Sequence, residues 1–369
     1  MSNLAGYSEL TRVSPQIPMS WYFDPRVHAV EQEVLFATSP GYVGHELMVP
    51  NPGDYFSLDW MNQGKVLVHG HNKVELLSNV CRHRQSILLQ GRGSAANIVC
   101  PLHRWTYDLD GKLLGAPHFS GNPCLDLPKT PLERWNGMLF TGKRNVARDL
   151  TGLSCQSELD FEGYVFDRAT STDYDFNWKT FVEVYLELYH VVPFHPGLGS
   201  FVNCDDLQWD VGERFSAQIV GVNSGLTRAG SATYHKWHEA VRTRYQGSDP
   251  VHGAIWMIYY PNIMIEWYPN VLVISTLIPR GPERCTNVVE FYYPEEIALF
   301  ERDYIVAEQA AYEETALEDE EICLRMTRGR RALYEEGVDP IGPYQSPMED
   351  GMVHFHEFLH RELGPLLKP

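Results

Sequence analysis

Basic residues are scarce in this 369-residue chain: 30 Lys and Arg stand against 48 Asp and Glu, a formal charge of −18. No run of Lys or Arg tracks a polyanion, since Arg325, Arg328, Arg330 and Arg331 sit among many acids. Nucleic acid and membrane surfaces are therefore not expected partners. Long apolar runs are missing too. Val271 to Pro279 has the length of a strand and falls short of the ~20 residues a bilayer-spanning helix needs. Residues 1–16 hold no basic segment followed by an apolar one, so no signal peptide is expected. Cysteines number seven, and Cys124, Cys155, Cys204, Cys285 and Cys323 are scattered and odd in number once Cys81 and Cys100 are set apart. That reads as reduced thiols in a cytoplasmic protein rather than a disulfide framework. No repeat or low-complexity tract breaks an ordinary globular composition, and the length points to two domains.

What the chain does hold is two short cysteine–histidine pairs, Cys81-Arg82-His83 and Cys100-Pro101-Leu102-His103, with sixteen residues between them. Zinc sites usually draw on two cysteine pairs, or on a cysteine pair followed by a histidine pair. Here each limb supplies one thiolate and one imidazole. That suits a [2Fe–2S] cluster with one iron on two Cys and the other on two His, the Rieske arrangement. Neutral imidazoles leave the cluster less negative than thiolates would, which raises its potential. Gly91 and Gly93 in the connection, and Trp105 to Gly111 after the last ligand, favour the cluster over a zinc ribbon.

Short apolar runs broken by turns fill Gly44 to Arg144, among them Lys65 to Val68, Val74 to Leu77, Ile98 to Val99 and Gly137 to Thr141. They predict a small antiparallel β domain. Leu150 to Asp173 reads as a polar crossover. Asp175 then opens a helix from Trp178 to Tyr189, which Pro193 should end or kink. Ala254 to Tyr260, Ile263 to Tyr268 and Val271 to Ile278 read as a meander turned at Pro261-Asn262 and Pro269-Asn270. Pro294 to about Arg331 reads as one long helix, Gly337 to Pro347 as loop, and Met352 to Leu363 as a last helix. An antiparallel sheet covered by helices, an α+β arrangement, follows for the second domain.

A second constellation runs from Asn177-Trp178-Lys179 through Glu183 and Glu187 to His190 and His195. Non-haem Fe(II) that activates O2 commonly uses two His and one carboxylate on one face. A five-residue spacing on a straight helix would point the rings about 140° apart, so Pro193 is expected to break the helix and turn His195 back. Two buried structural histidines are the plainer reading of this pair alone. The carboxylate must come from elsewhere, and Glu318-Asp319 lies in an acidic helix that most simply faces solvent. Periodicity cannot choose between the two acids.

Taken jointly, the segments Cys81 to Gly111 and Asn177 to His195, Glu318-Asp319, and the ending Glu349-Asp350-Gly351 with His354-Phe355-His356 resemble the oxygenase (α) component of the Rieske non-haem iron oxygenases. The Glu-Leu-Tyr-His form of residues 187–190 resembles relatives acting on carnitine, betaine and similar quaternary amines. The residue before the Val43-Gly44 step departs from the family's Trp, being Tyr42. The resemblance implies an N-terminal segment (1–40) packing on the catalytic domain, a Rieske domain (41–150), and a helix-grip catalytic domain with mononuclear iron (151–369). It implies Cys81, His83, Cys100 and His103 as cluster ligands and His190, His195 and Asp319 as iron ligands. Glu187 becomes the bridge between one subunit's His190 and its neighbour's His103 in a head-to-tail homotrimer. NADH electrons would come through a flavin/iron–sulfur reductase, for oxygenation of a small organic substrate by O2 as a monooxygenase or a dioxygenase.

For the substrate, Trp209, Tyr234, Trp237, Trp256, Tyr259, Tyr260, Trp267 and Tyr268 could cage a quaternary ammonium through cation–π attraction, although strand aromatics are more often core. Monooxygenation or demethylation of a quaternary amine is the first expectation. Glu266 could pair a cation if it pointed inward, but a solvent-facing strand position is the simpler reading. Hydroxylation or cis-dihydroxylation of an aromatic acid would instead want an inward Arg228 or Asn223. A Rieske electron carrier without catalysis is the distant alternative, and it would need only the small β domain.

Overall fold

The computed structural model describes residues 16–340 and 342–367; residues 1–15 of the N-terminal segment lie outside the described residues. The chain forms two compact units, Thr38–Ala147 and the remainder, Met1–Ala37 with Arg148–Pro369. The smaller unit is antiparallel. Its five-stranded sheet runs Arg92–Ser94, Asp54–Ser57, Lys65–His69, Val74–Ser78 and Lys129–Thr130, and two three-stranded sheets complete it. Alternation along Lys65–His69 turns Val66 and Val68 inward, where they share a core with Leu77, Cys81, Cys100, Trp105 and Tyr107.

In the larger unit a seven-stranded antiparallel sheet has the order Tyr164–Tyr174, Arg284–Pro294, Val271–Gly281, Ile263–Tyr268, Ala254–Tyr259, Phe215–Val222 and Val202–Val211. The meander forms as its sequence indicates. Tyr268 pairs directly with Val271 across a two-residue turn, in which Asn270 takes the left-handed conformation (φ 57°). The stretch read as a polar crossover is different: residues 164–174 form an edge strand paired with Arg284–Pro294. Arg168, Thr170 and Thr172 on it line a cavity and, like Ser171 and Asp173, are exposed, while Ala169 is half-buried. With polar residues on both faces, the strand carries no hydrophobic alternation to announce it.

Two helices also depart from expectation. The helix begun at Trp178, capped by the Asn177 side chain, ends at Tyr185 rather than Tyr189. Pro193 terminates nothing; it is the third residue of a separate four-residue helix, Val191–Phe194, where an N–H would have no partner within the helix anyway. The long acidic run is two helices, Glu295–Phe300 and Arg302–Glu336, parted at Glu301 (φ −123°, ψ 52°). The second outlasts Arg331 by five residues and stops at Gly337, whose φ of 69° is the left-handed end that glycine accepts freely. Residues 350–363 form the last helix.

Candidate active site

In the smaller unit, two similarly built loops carry the cysteine–histidine pairs. The Cys81 N–H donates to Ser86 O at 2.8 Å, and the Cys81 carbonyl accepts from Gln85 N–H at 3.1 Å. Cys100 repeats this with Trp105 at 2.8 Å and Arg104 at 3.1 Å. Gln85 and Arg104, each four residues past its cysteine, bend at positive φ (56° and 61°). Both cysteines are buried, His83 is half-buried and His103 exposed. The two imidazoles lie 4.7 Å apart, and His83 stacks on Trp105 at 5.0 Å. Burial would raise the Cys81 thiol, but the His83 N–H, the Tyr107 hydroxyl, Cys100 and the Arg84 N–H together hold it below its ordinary range. Burial keeps Tyr107 protonated, so its hydroxyl donates to Cys81 Sγ at 3.6 Å.

His83 Nδ1 is buried without a hydrogen-bond partner, as a nitrogen reserved for a metal would be. Thiols pair on the inside and imidazoles toward solvent. Among the described residues one set of three ligand atoms closes to within 4.8 Å, and it is not this one. Ligands sharing a single tetrahedral zinc would have to close at least that far. The donors fit a two-iron cluster better than a zinc ribbon.

The set that does close is His190, His195 and Asp319, in the larger unit. The short helix Val191–Phe194 separates the histidines and brings their rings to 4.9 Å and 70°. Glu187 Oε1 lies 2.5 Å from His190 Nδ1, while its Oε2 accepts the His190 backbone N–H at 3.0 Å. Glu318 Oε2 lies 2.7 Å from His195 Nδ1. Glu318 favours a proton on His195 Nδ1 through its hydrogen bond, whereas Glu187 acts on His190 Nδ1 by charge alone, that nitrogen making no hydrogen bond; with Nδ1 protonated, each Nε2 would keep its lone pair. Both Nε2 atoms meet one oxygen, Asp319 Oδ1, at 3.6 Å from His190 and 3.0 Å from His195. That oxygen is buried and has no hydrogen-bond partner. As lone-pair donors the three would repel one another unless a cation lay among them, and two histidines with one carboxylate is a donor set that non-haem iron commonly takes.

Without a metal, the surrounding acids draw protons onto the rings. Burial would lower His190, yet Asp319 and Glu187 push it up to about 9. His195 is raised against its burial by Asp319 and Glu318. Asp319 is held low by the two imidazoles despite its own burial. Glu318 and Asp319, inseparable by periodicity, thus face different nitrogens of the same ring.

A cavity of ≈ 390 Å³ includes the triad in its wall. Its sheet side is a cross-strand row in which Arg168 pairs with Phe291, Phe291 with Val273, Val273 with Glu266, and Glu266 with Trp256. Its helix side is a stripe of Arg302–Glu336: Glu308, Tyr312, Thr315 and Asp319, at helical spacing. Of the aromatics singled out by sequence, Tyr234, Trp237, Trp256 and Tyr268 line the cavity. Trp209, Tyr259, Tyr260 and Trp267 do not; Tyr260, for one, packs on Phe358 at 4.8 Å. Glu266 is no solvent-facing residue: it is 3% exposed and points inward. Both faces of this strand are covered, so alternation could not reveal which way it turned. Arg228 is exposed, and the Asn223 amide donates to the carbonyls of Gly199 and Val202; neither lines the cavity. Sequence reasoning missed Tyr312 and Glu308, though both fall on the Asp319 face of the helix, seven and eleven residues back.

Two family models match the chain. Residues 161–364 match the ring hydroxylating alpha subunit (catalytic domain), and residues 39–131 the Rieske [2Fe-2S] domain. A putrescine 2-hydroxylase of Ralstonia nicotianae is 60% identical over 98% of this chain and 99% of its own length. Another, from Bordetella bronchiseptica, is 49% identical over 99% of this chain and 88% of its own. Among solved structures, a quaternary ammonium Rieske monooxygenase crystallised with an inhibitor superposes with a TM-score of 0.75 at 22% identity, covering 95% of this chain and 96% of that one. At that identity the likeness concerns the fold.

Proposed function

This chain belongs to the Rieske-type ring-hydroxylating oxygenases, as their α subunit, and on that premise we propose that it hydroxylates a carbon of a small aliphatic diamine such as putrescine. The balance is diamine, O2, NADH and a proton giving hydroxylated diamine, water and NAD+. Cys81, Cys100, His83 and His103 would hold the [2Fe–2S] cluster, and His190, His195 and Asp319 the iron. When bound, the cluster supplies single electrons and the Fe(II) activates O2 for C–H hydroxylation. The chain's own groups set the stage for this. Glu187 and Glu318 orient the imidazoles and fix their tautomers. Tyr107 and the loop N–H groups stabilise the Cys81 thiolate. The sheet row and helix stripe set the substrate's pose and keep water away from it.

The observation that carries the reading is the convergence of two Nε2 atoms on an unpartnered, buried Asp319 Oδ1 in the wall of a cavity. The amine class is supported by the names of the relatives at 60% and 49% identity. It puts carbon hydroxylation of a primary amine in place of the expected demethylation of a quaternary amine. An aromatic acid is less well served, since Arg228 and Asn223 lie elsewhere. In the full reaction Glu187 would also receive His103 of a neighbouring subunit in a head-to-tail trimer, and a flavin/iron–sulfur reductase would deliver the electrons. The test is O2 and NADH consumption, with a reductase supplied, over putrescine, choline, carnitine and benzoate. Putrescine-dependent consumption with one oxygen on the carbon chain supports the reading. Turnover restricted to quaternary amines or benzoate would reject it.

A further inference from the structure

Two carboxylates in the cavity wall have no part in this chemistry. Glu266 and Glu308 are both 3% exposed. Glu266 Oε2 accepts the Tyr268 hydroxyl at 2.7 Å, and Oε1 the Tyr312 hydroxyl at a long 3.3 Å. Tyr268 is itself fixed by the Trp256 indole N–H at 2.9 Å. Glu308 Oε2 accepts the Tyr293 hydroxyl at 2.5 Å. Tyrosines are thus their partners. Among the described residues neither has an ion-pair partner, and Arg168, the arginine in the cavity wall, stands over the Phe291 ring at 5.6 Å. Burying a carboxylate without a counter-cation is unfavourable, and doing so twice in one cavity more so.

We infer that Glu266 and Glu308 form the substrate-selecting end of the cavity, receiving the far ammonium of a diamine whose near methylene group faces the His190, His195 and Asp319 end. The inference rests on the amine reading above and deepens it. Glu308 lies eleven residues before Asp319 on one helix face, about 16 Å along the axis. Glu266 enters from the opposite wall and is tied to Tyr312 between them. A primary ammonium can donate N–H bonds to these oxygens; a trimethylammonium head cannot. An uncharged alcohol of the same length, such as 1,4-butanediol, leaves the carboxylates uncompensated.

Titration supports the geometry. Burial, partly offset by Tyr268 and Tyr312 and reinforced by the Asp319 charge, pushes Glu266 up to about 7. Burial, partly offset by Tyr293, pushes Glu308 up to about 8, with Glu266 and Asp167 adding to the rise and Arg168 opposing it. The tyrosines facing them, Tyr185, Tyr268, Tyr293 and Tyr312, are pushed far above neutral pH by burial and keep their protons. Alkylammonium groups stay charged there, as lysine does. Diamine affinity should therefore rise with pH as the two acids ionise.

The test uses metal-loaded, anaerobic enzyme, with binding of putrescine and of uncharged 1,4-butanediol measured by calorimetry from pH 6 to 8.5 and KM measured in turnover. Glu266→Gln and Glu308→Gln should each retain iron, lose at least about tenfold in putrescine affinity, change 1,4-butanediol affinity less than about threefold, and flatten the pH dependence. Glu266→Asp, which keeps the charge but withdraws it by one methylene, should fall between and guards against a folding defect. If wild type oxidises putrescine but both Gln variants keep their putrescine-to-butanediol ratio, the inference is overturned and the amine reading stands. A change in one variant alone overturns the pair in favour of a single carboxylate. Wild type that does not bind putrescine removes both the reading and the inference.

Discussion

Single atoms decide what this chain can hold. His195 is flanked by two neighbouring acids of one helix, with Glu318 at its Nδ1 and Asp319 at its Nε2. Glu318→Gln removes the orienting charge but no metal ligand, so iron affinity should drop by about 10- to 100-fold without abolition, measured by competition with a chelator. Glu187 touches His190 at both its ring and its backbone. Glu187→Gln should leave both metals bound yet slow oxidation of the reduced cluster by O2 in the presence of substrate; an unchanged rate would remove the bridging role. The cysteine–histidine pairs could be read from sequence because mixed thiolate and imidazole limbs suit so few metals. Glu266 could not, because a strand covered on both faces gives the same alternation whichever way it turns.

Elements were readable where one face is apolar and hidden where neither is. The meander strands Ala254–Tyr259 and Ile263–Tyr268 are almost wholly buried and dense in apolar residues. The edge strand Tyr164–Tyr174 has a polar cavity face and a polar solvent face, and so passed for a crossover. Helix Ala232–Arg244 buries only Tyr234, Trp237, His238 and Val241, too few to mark it among its polar neighbours. Helix Trp178–Tyr185 is anchored by charge as well as apolar contact. Fully buried Glu183 receives Arg330 at 2.5 Å, His356 at 2.9 Å and the Tyr22 hydroxyl, while Lys179 pairs with Glu31. Despite its burial, Glu183 is held down to about 2, chiefly by Arg330 and then by His356. A depressed carboxylate stabilises the fold above its unfolded pKa and loses that contribution as pH falls through about 2. Arg330→Met would strand the charge, costing about 3–5 kcal/mol at neutral pH and making the loss of stability on acidification less steep, both read from denaturant midpoints.

The whole molecule is two units with separate tasks. The smaller presents a thiol pair inside and an imidazole pair toward solvent, and the larger closes three ligand atoms beside a cavity. No helix among the described residues is long and apolar enough to cross a membrane. Pattern and spacing indicated the small β domain and the sheet covered by helices, whereas Asp319 as a ligand was implied only by the family resemblance, since periodicity could not separate it from Glu318. The cavity's chemistry was harder to read, since it is assembled from strands and a helix far apart in the chain. The claim beneath all of this is that Asp319 completes a second metal centre independent of the cluster. Iron and sulfide analysis of anaerobically purified protein tests it most directly. The wild type should carry about three irons and two sulfides per chain, and Asp319→Ala about two of each, with the cluster's absorption unchanged. An Asp319→Ala protein that keeps its third iron would contradict the account.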